Sequence, residues 1–146
     1  MNKPQADGGY WSEPAGDQSR SQVRDIINLS YSSSVKAQKL AALSLLRCAL
    51  DERFHEYLGE DAVLSAISLC NSKSTEVIAN AIRSLTALSK SETCKYYLVK
   101  NGGINLLITA LKSNKDVSEL ALDTILQICE TKSFTSILIE SGVVPR

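Results

Sequence analysis

The stretch VIANAIRSLTALSKS, residues 77–91, places apolar side chains at helical spacing and has two gapless matches elsewhere in the chain. The matching segments are VKAQKLAALSLLRCA at 35–49 and VSELALDTILQICET at 117–131. Spacings of three residues keep the shared apolar side chains on one helical face, so we expect three long amphipathic helices of one pattern. The corresponding triplets are Leu40, Ile82 and Leu122; Leu43, Leu85 and Ile125; and Leu46, Leu88 and Ile128.

The matching segments recur at a nearly regular step, since they begin at Val35, Val77 and Val117. The segments between them match too, because YLGEDAVLSAISLCNS at 57–72 aligns with LVKNGGINLLITALKS at 98–113. A helical unit of roughly 40 residues is typical of armadillo and HEAT solenoids, and the alternating pattern of strands is lacking. The sequence therefore predicts an all-α fold.

Glycines mark one recurring place in this pattern. Beyond position 20 the chain has four glycines, each just before or at the start of the second, shorter apolar segment: Gly59, Gly102, Gly103 and Gly142. A phosphate-binding loop would require a lysine and a Ser or Thr after the last glycine, or a strand before a G-x-G-x-x-G motif, and neither occurs here. We therefore interpret NGGINLLITALKSN at 101–114 as a corner between two helices, where close packing favours residues without side chains.

Composition excludes several classes of partner. The 16 basic and 16 acidic residues balance, so no net charge attracts DNA, RNA or an anionic membrane. The four cysteines lack CxxC spacing and lie in helix-like runs, which indicates reduced, buried thiols rather than disulfides or a zinc site. No apolar run approaches the ~20 residues of a membrane helix, and the N-terminus lacks a signal-peptide pattern. We expect a cytoplasmic location, with a nuclear one as the alternative.

Residues 1–20 are predicted to be a flexible tail, because glycine and proline are concentrated there and few apolar side chains are present. Tyr10 and Trp11 are the exception. Adjacent aromatic residues in a flexible segment are candidate anchors for a partner, since aromatic side chains are enriched at interfaces. The alternative is that both rings fold back onto the first helix.

Residues 98–131, LVKNGGINLLITALKSNKDVSELALDTILQICET, resemble an armadillo repeat: a short helix, a small-residue corner, a second helix and a long third helix. The resemblance extends over about 21–146 and is strongest over 77–131. It implies a right-handed α-solenoid of about three armadillo-type repeats, the first and last incomplete. A HEAT-like subunit is the second choice, because the proline and arginine positions usual in HEAT repeats are not seen here. The implied repeats are 21–58, 59–100, 101–140 and the start of another at 141–146.

The resemblance also implies a function. In armadillo proteins the long third helices line a groove that binds an extended peptide or a helix of a partner. In those that bind nuclear-localisation peptides, the groove carries a ladder of tryptophans and asparagines. Aligning the helices puts Ala41, Arg83 and Asp123 at the tryptophan position and Leu45, Ala87 and Gln127 at the asparagine position, so no ladder residue is matched. The groove residues predicted for this chain are Asn80, Arg83, Ala87, Glu119, Asp123 and Gln127. The alternative is that they are ordinary solvated helix faces.

We therefore expect a non-enzymatic scaffold or adaptor with no cofactor and no metal. His55 is the only histidine, and a lone histidine seldom forms a metal site. No sequence signature of nucleophilic or hydrolytic catalysis is present. A second hypothesis is a regulatory or assembly subunit that associates through an exposed terminal flank. It rests on ESGVVPR at 140–146, which stands where the next apolar helix would begin. We therefore expect a fragment or isoform of a longer protein. We also expect self-association through an uncapped C-terminal flank.

Overall fold

The structure, a computed structural model, describes residues 16–130, with side chains from Gln18 onward. Tyr10, Trp11, Gly142 and the predicted repeat start at 141–146 lie outside the described residues. Within 16–130 every regular element is helical, which confirms the all-α prediction. The elements are α1 (Gly16–Ser30), α2 (Val35–Leu50), a 3-10 helix (Glu52–Tyr57), α3 (Glu60–Leu69), α4 (Thr75–Leu88), α5 (Glu92–Lys100), α6 (Gly103–Ala110) and α7 (Lys115–Cys129).

The first helix begins inside the segment predicted to be a tail. α1 starts at Gly16, and Ser19 and Val23 are already buried. The tail prediction depends on the low apolar content of 1–20. Helix α1 nevertheless extends back into that segment because its later turns pack against α2 and α3 and fix its axis.

The three long helices begin with the same kind of cap, and the interval between successive caps is constant. Ser34 precedes α2, Ser74 precedes α4 and Asn114 precedes α7. Each cap's side-chain oxygen accepts a hydrogen bond from the backbone N–H three residues later, at 3.3, 3.4 and 3.0 Å respectively. Such caps satisfy one of the free N–H groups at a helix start and favour Ser and Asn.

This constant interval corrects the sequence alignment of α2. The apolar pattern pairs Leu40 with Ile82, but Leu40 is 58% exposed and Ile82 is fully buried. When the caps are aligned, Ala42 takes the place of Ile82 and Leu45 that of Leu85, and all four are buried. The error arises because α2 has apolar residues at the positions that either alignment would bury. Its periodicity alone therefore does not decide which face is buried.

Packing links each helix to its near neighbours along the chain. The long helix α4 packs against α2 on one side and α7 on the other, while α3 and α6 each pack against the long helix that follows. Helices α1, α3 and α6 also correspond, since Val23 in α1, Val63 in α3 and Ile104 in α6 are all buried. A single core cluster extends from α1 to α7.

The double glycine forms the corner between α5 and α6. Gly102 has a left-handed φ of 82°, which disfavours any side chain. A Cβ on Gly103 would lie 2.1 Å from Leu98 Cδ1 and 2.8 Å from the Leu98 carbonyl oxygen. Gly59, before α3, has φ −111° and no heavy atom within 4 Å of the position its Cβ would take. The corner at 102–103 therefore requires glycine, whereas the corner at Gly59 does not.

Candidate interaction surface on the long helices

Helices α2, α4 and α7 present one row of exposed side chains across the molecule. Leu43, Arg83 and Asp123 each lie nine residues after a cap, and all three are exposed. The helices are neighbours in the order α2, α4, α7, so these positions line adjacent helix faces. We call the surface formed by the following residues the long-helix strip: Leu43, Arg47, Asn80, Arg83, Ala87, Glu119, Asp123 and Gln127.

Arg83 is held in place at the middle of the strip. Its Nη1 atom donates a hydrogen bond to Asn80 Oδ1 at 2.9 Å, one turn earlier on α4. Asn80 is half-buried and Arg83 is exposed, so the amide restrains a guanidinium that remains open to solvent. A restrained guanidinium loses less entropy when it pairs with a carboxylate.

Glu119 and Asp123 form an acidic part of the strip on the next helix. Both side chains are exposed, and they lie four residues apart on α7, so they share one helix face. Asp123 corresponds to Arg83 when the caps are aligned. The strip therefore changes from cationic on α4 to anionic on α7.

Ala87 and Gln127 differ from the exposed members of the strip in being half-buried. The Gln127 side-chain amide donates to the Thr86 carbonyl oxygen, and the hydroxyl groups of Thr86 and Thr124 are hydrogen-bonded to each other. These contacts connect α4 to α7. Gln127 thus has a packing role between the helices, and Ala87 contributes mainly a small apolar surface.

Two positions taken from the resemblance are corrected. Ala41 and Leu45 both have no solvent exposure, so neither lines an accessible surface. Leu43 and Arg47 occupy the corresponding exposed positions on α2. Sequence reasoning misses them because the apolar pattern displaces the α2 alignment by two residues. The signal that finds them is the series of capping residues before the three long helices.

Formal charge changes steadily across the long helices. α2 contains three basic residues and no acidic residue. α4 contains one of each, Glu76 and Arg83. α7 contains one basic and three acidic residues. The chain as a whole is neutral, so this is a separation of charge between two ends rather than a net charge.

A cavity of about 440 Å³ opens near the C-terminal ends of α2 and α4, with His55, Ala87 and Cys94 in its lining. His55 Nε2 is 3.1 Å from the Ala49 carbonyl oxygen, and Cys94 Sγ donates to the Leu58 carbonyl oxygen at 3.6 Å. The imidazole and the thiol are therefore each engaged by a backbone carbonyl, rather than aligned with each other as a base and a nucleophile.

Burial governs the chemistry of the thiols. It raises the pKa of Cys94 from its ordinary value of 9.0, and it raises that of Cys48 to about 11 and that of Cys70 to about 12. The Asp51 carboxylate adds to the effect at Cys48. Such thiols stay protonated near neutral pH and are poor nucleophiles.

Within residues 16–130, no group of three or more His, Cys, Asp or Glu side chains is arranged to hold a metal ion. The helices of the same region are also too short or too polar to cross a membrane. Comparison with models of known protein families and with curated proteins gave no match.

Proposed function

We propose that this chain is a non-enzymatic, armadillo-type binding module, a scaffold or adaptor whose long-helix strip binds an extended segment of a partner protein. The observation that carries the proposal is the equal spacing of the capped long helices. It puts corresponding positions of three adjacent helices on one exposed row. Helical repeats that stack in this way offer extended surfaces suited to extended ligands.

The chemistry of the strip indicates the chemistry of its ligand. Leu43 offers an exposed apolar contact, Arg83 a restrained cation, and Glu119 with Asp123 a pair of carboxylates. A matching segment carries an apolar side chain at the α2 end, an acidic one opposite Arg83 and a basic one opposite Asp123. Complementary charges of this kind fix the direction in which a peptide lies, because the reversed peptide would place like charges together.

Selection of binding peptides from a random displayed library, followed by fluorescence polarisation, tests the proposal. We expect selected peptides to show the order apolar, acidic, basic. The double charge reversal R83E/D123K should weaken their binding about tenfold or more, because two exposed charge pairs of roughly 0.2–1 kcal/mol each become repulsions. The same variant should bind better to a peptide in which the acidic and basic residues are exchanged.

The double reversal D61K/K73E is a matched control, because Asp61 and Lys73 are both exposed and lie off the strip. The two substitutions together leave the net charge unchanged, as R83E/D123K does. It should bind the selected peptides as the wild type does. Equal binding of the selected peptides to the wild type and to R83E/D123K would refute the proposal. Loss of binding in the control as well would assign the effect to general electrostatics rather than to the strip.

A further inference from the structure

The two ends of the row of long helices expose apolar side chains whose counterparts inside the molecule are covered. On α7, Leu122 and Leu126 are 47% and 57% exposed. Their counterparts on α4 are Ile82, which is fully buried, and Thr86, which is half-buried. At the other end, Leu40 of α2 is exposed, whereas its counterpart Leu120 on α7 is half-buried and packed against the core.

We call the side of a long helix that carries these apolar side chains its flank. The contact between α4 and α7 shows which element covers the flank of α4. Thr86 bonds to Thr124 and accepts a hydrogen bond from Gln127, so α7 lies along the Ile82 and Thr86 flank of α4. Helix α6 packs beside α7. Helices α1 and α2 correspond to α6 and α7 at two buried positions, since Val23 corresponds to Ile104 and Ala41 to Ala121. A second copy of this chain thus has, in α1 and α2, a pair of helices that corresponds to α6 and α7, of which α7 covers the α4 flank.

A charge pair supports this register. Lys39 Nζ on α2 is 3.7 Å from Glu76 Oε1 on α4. Lys39 lies five residues after the cap of α2, and Glu76 lies two residues after the cap of α4. On the two outer helices of the row, Glu119 of α7 lies five residues after its cap and Lys36 of α2 lies two residues after its cap. Both side chains are exposed. Stacking α2 of a second copy on α7 would therefore bring an anion to a cation. The opposite formal charges of α2 and α7 favour the same arrangement.

We propose that this chain associates head to tail with itself, the Leu122 and Leu126 flank of α7 receiving the Leu40 face of α2 from a second copy. Such an interface is heterologous, because each copy uses two different surfaces and leaves one of each free. Assemblies therefore grow beyond dimers as concentration rises. The inference rests on the two flanks and does not require peptide binding to the strip, with which the interface shares one residue, Glu119.

Light scattering after size exclusion, with the full 146-residue chain over a range of concentrations, tests the inference. We expect the average mass of the wild type to rise through dimer to larger species. L40E lacks a working α2 face and L122E/L126E lacks a working α7 flank, so each alone should stay monomeric. An equimolar mixture should form a one-to-one complex and nothing larger, because each variant retains the surface that the other has lost.

Charge variants test the register. K36E and E119K should each weaken association of the chain by about two- to fivefold, as expected for one exposed ion pair. The double variant K36E/E119K should recover the lost affinity, since it exchanges the two charges between the facing surfaces. Association should also weaken with added salt.

Y96E is the matched control, because Tyr96 is 53% exposed but lies on α5, away from both flanks. It should assemble as the wild type does. Far-UV circular dichroism should show the same helicity in every variant, since all the changed side chains are exposed. A wild type that remains monomeric, a dimer of L40E, or a mixture of L40E and L122E/L126E that stays monomeric would each overturn the inference. If the wild type is monomeric and L122E/L126E lowers its free energy of unfolding, the α7 flank is covered by another part of the same chain.

Discussion

Ile82 and Leu122 occupy the same place, eight residues after a cap, in two helices of the same pattern. Ile82 is buried because α7 follows it and packs against α4, while α6 packs beside α7. Leu122 is exposed because, within residues 16–130, no later helix lies beyond α7. The comparison shows that the local sequence sets the helix and the phase of its apolar face, whereas the neighbouring helix decides whether a given apolar side chain belongs to the core.

The sharpest test of this comparison is the pair I82A and L122A. Removing a fully buried isoleucine side chain should reduce the free energy of unfolding by about 2–5 kcal/mol, because it loses apolar burial and leaves a cavity. The same truncation at Leu122 should change it by less than about 0.5 kcal/mol. Urea unfolding followed by circular dichroism, at a concentration low enough to keep the chain monomeric, measures both. A loss at Leu122 equal to that at Ile82 would mean that the two flanks are equally covered.

The two helix corners give a second, smaller contrast. G103A should destabilise the fold by about 1–3 kcal/mol, because its methyl group would overlap the Leu98 side chain and carbonyl oxygen and force them to move. G59A should cost no more than about 1 kcal/mol, the difference between Gly and Ala at a helix N-cap, since the space around it is open. Thermal unfolding compares the two variants. A larger loss for G59A than for G103A would contradict the packing described at the corners.

The smallest effect concerns the contact between α3 and the end of α5. The Asn101 amide donates to Glu60 Oε2 at 3.0 Å, and Lys100 Nζ lies 3.4 Å from the same oxygen. These neighbours, Asn101 first, lower the pKa of Glu60 from its ordinary value of 4.5. N101A should move this pKa upward, and the carboxyl carbon shift of Glu60 in an NMR pH titration measures the change.

The sign of the linked stability follows from the direction of that shift. A carboxyl whose pKa is lowered by folding stabilises the fold above its ordinary pKa, and the contribution is lost as pH falls through the folded value. In N101A the contribution should therefore be smaller, and its loss should be complete at a higher pH than in the wild type. An unchanged Glu60 pKa in N101A would show that the amide does not contact the carboxylate, and K100A gives the separate contribution of the ammonium.

Much of the helical framework can be predicted from the sequence. The three long segments, the polar linkers before them and the glycine corner at 102–103 are all apparent in it, because helical spacing, helix caps and glycine geometry act over a few residues. Of the predicted surface, Arg83, Glu119 and Asp123 are exposed on the adjacent helices α4 and α7. That they bind a partner stays a prediction. Asn80, Ala87 and Gln127 are half-buried, so only part of each side chain is exposed on this surface. Gln127 also contacts Thr86, 41 positions earlier in the sequence, and this contact joins α7 to α4.

The register of α2 could not be predicted from its periodicity. Its apolar residues cover most of its circumference, so the helix has two plausible buried faces. The structure buries the face that contains Ala41 and Leu45 and leaves Leu40 and Leu43 exposed. Packing against α4 makes this choice, because small alanines allow the two helix backbones to come close while larger leucines would hold them apart.

The sequence by itself determined that this chain is helical and where its three long apolar segments lie, since both depend on hydrogen bonds and steric limits among near neighbours. Only the tertiary structure decided which leucines are core and which are surface, and how the positive and negative helices are ordered. Burial and charge pairing depend on the helix that lies alongside, and that neighbour is a whole helical unit away along the chain.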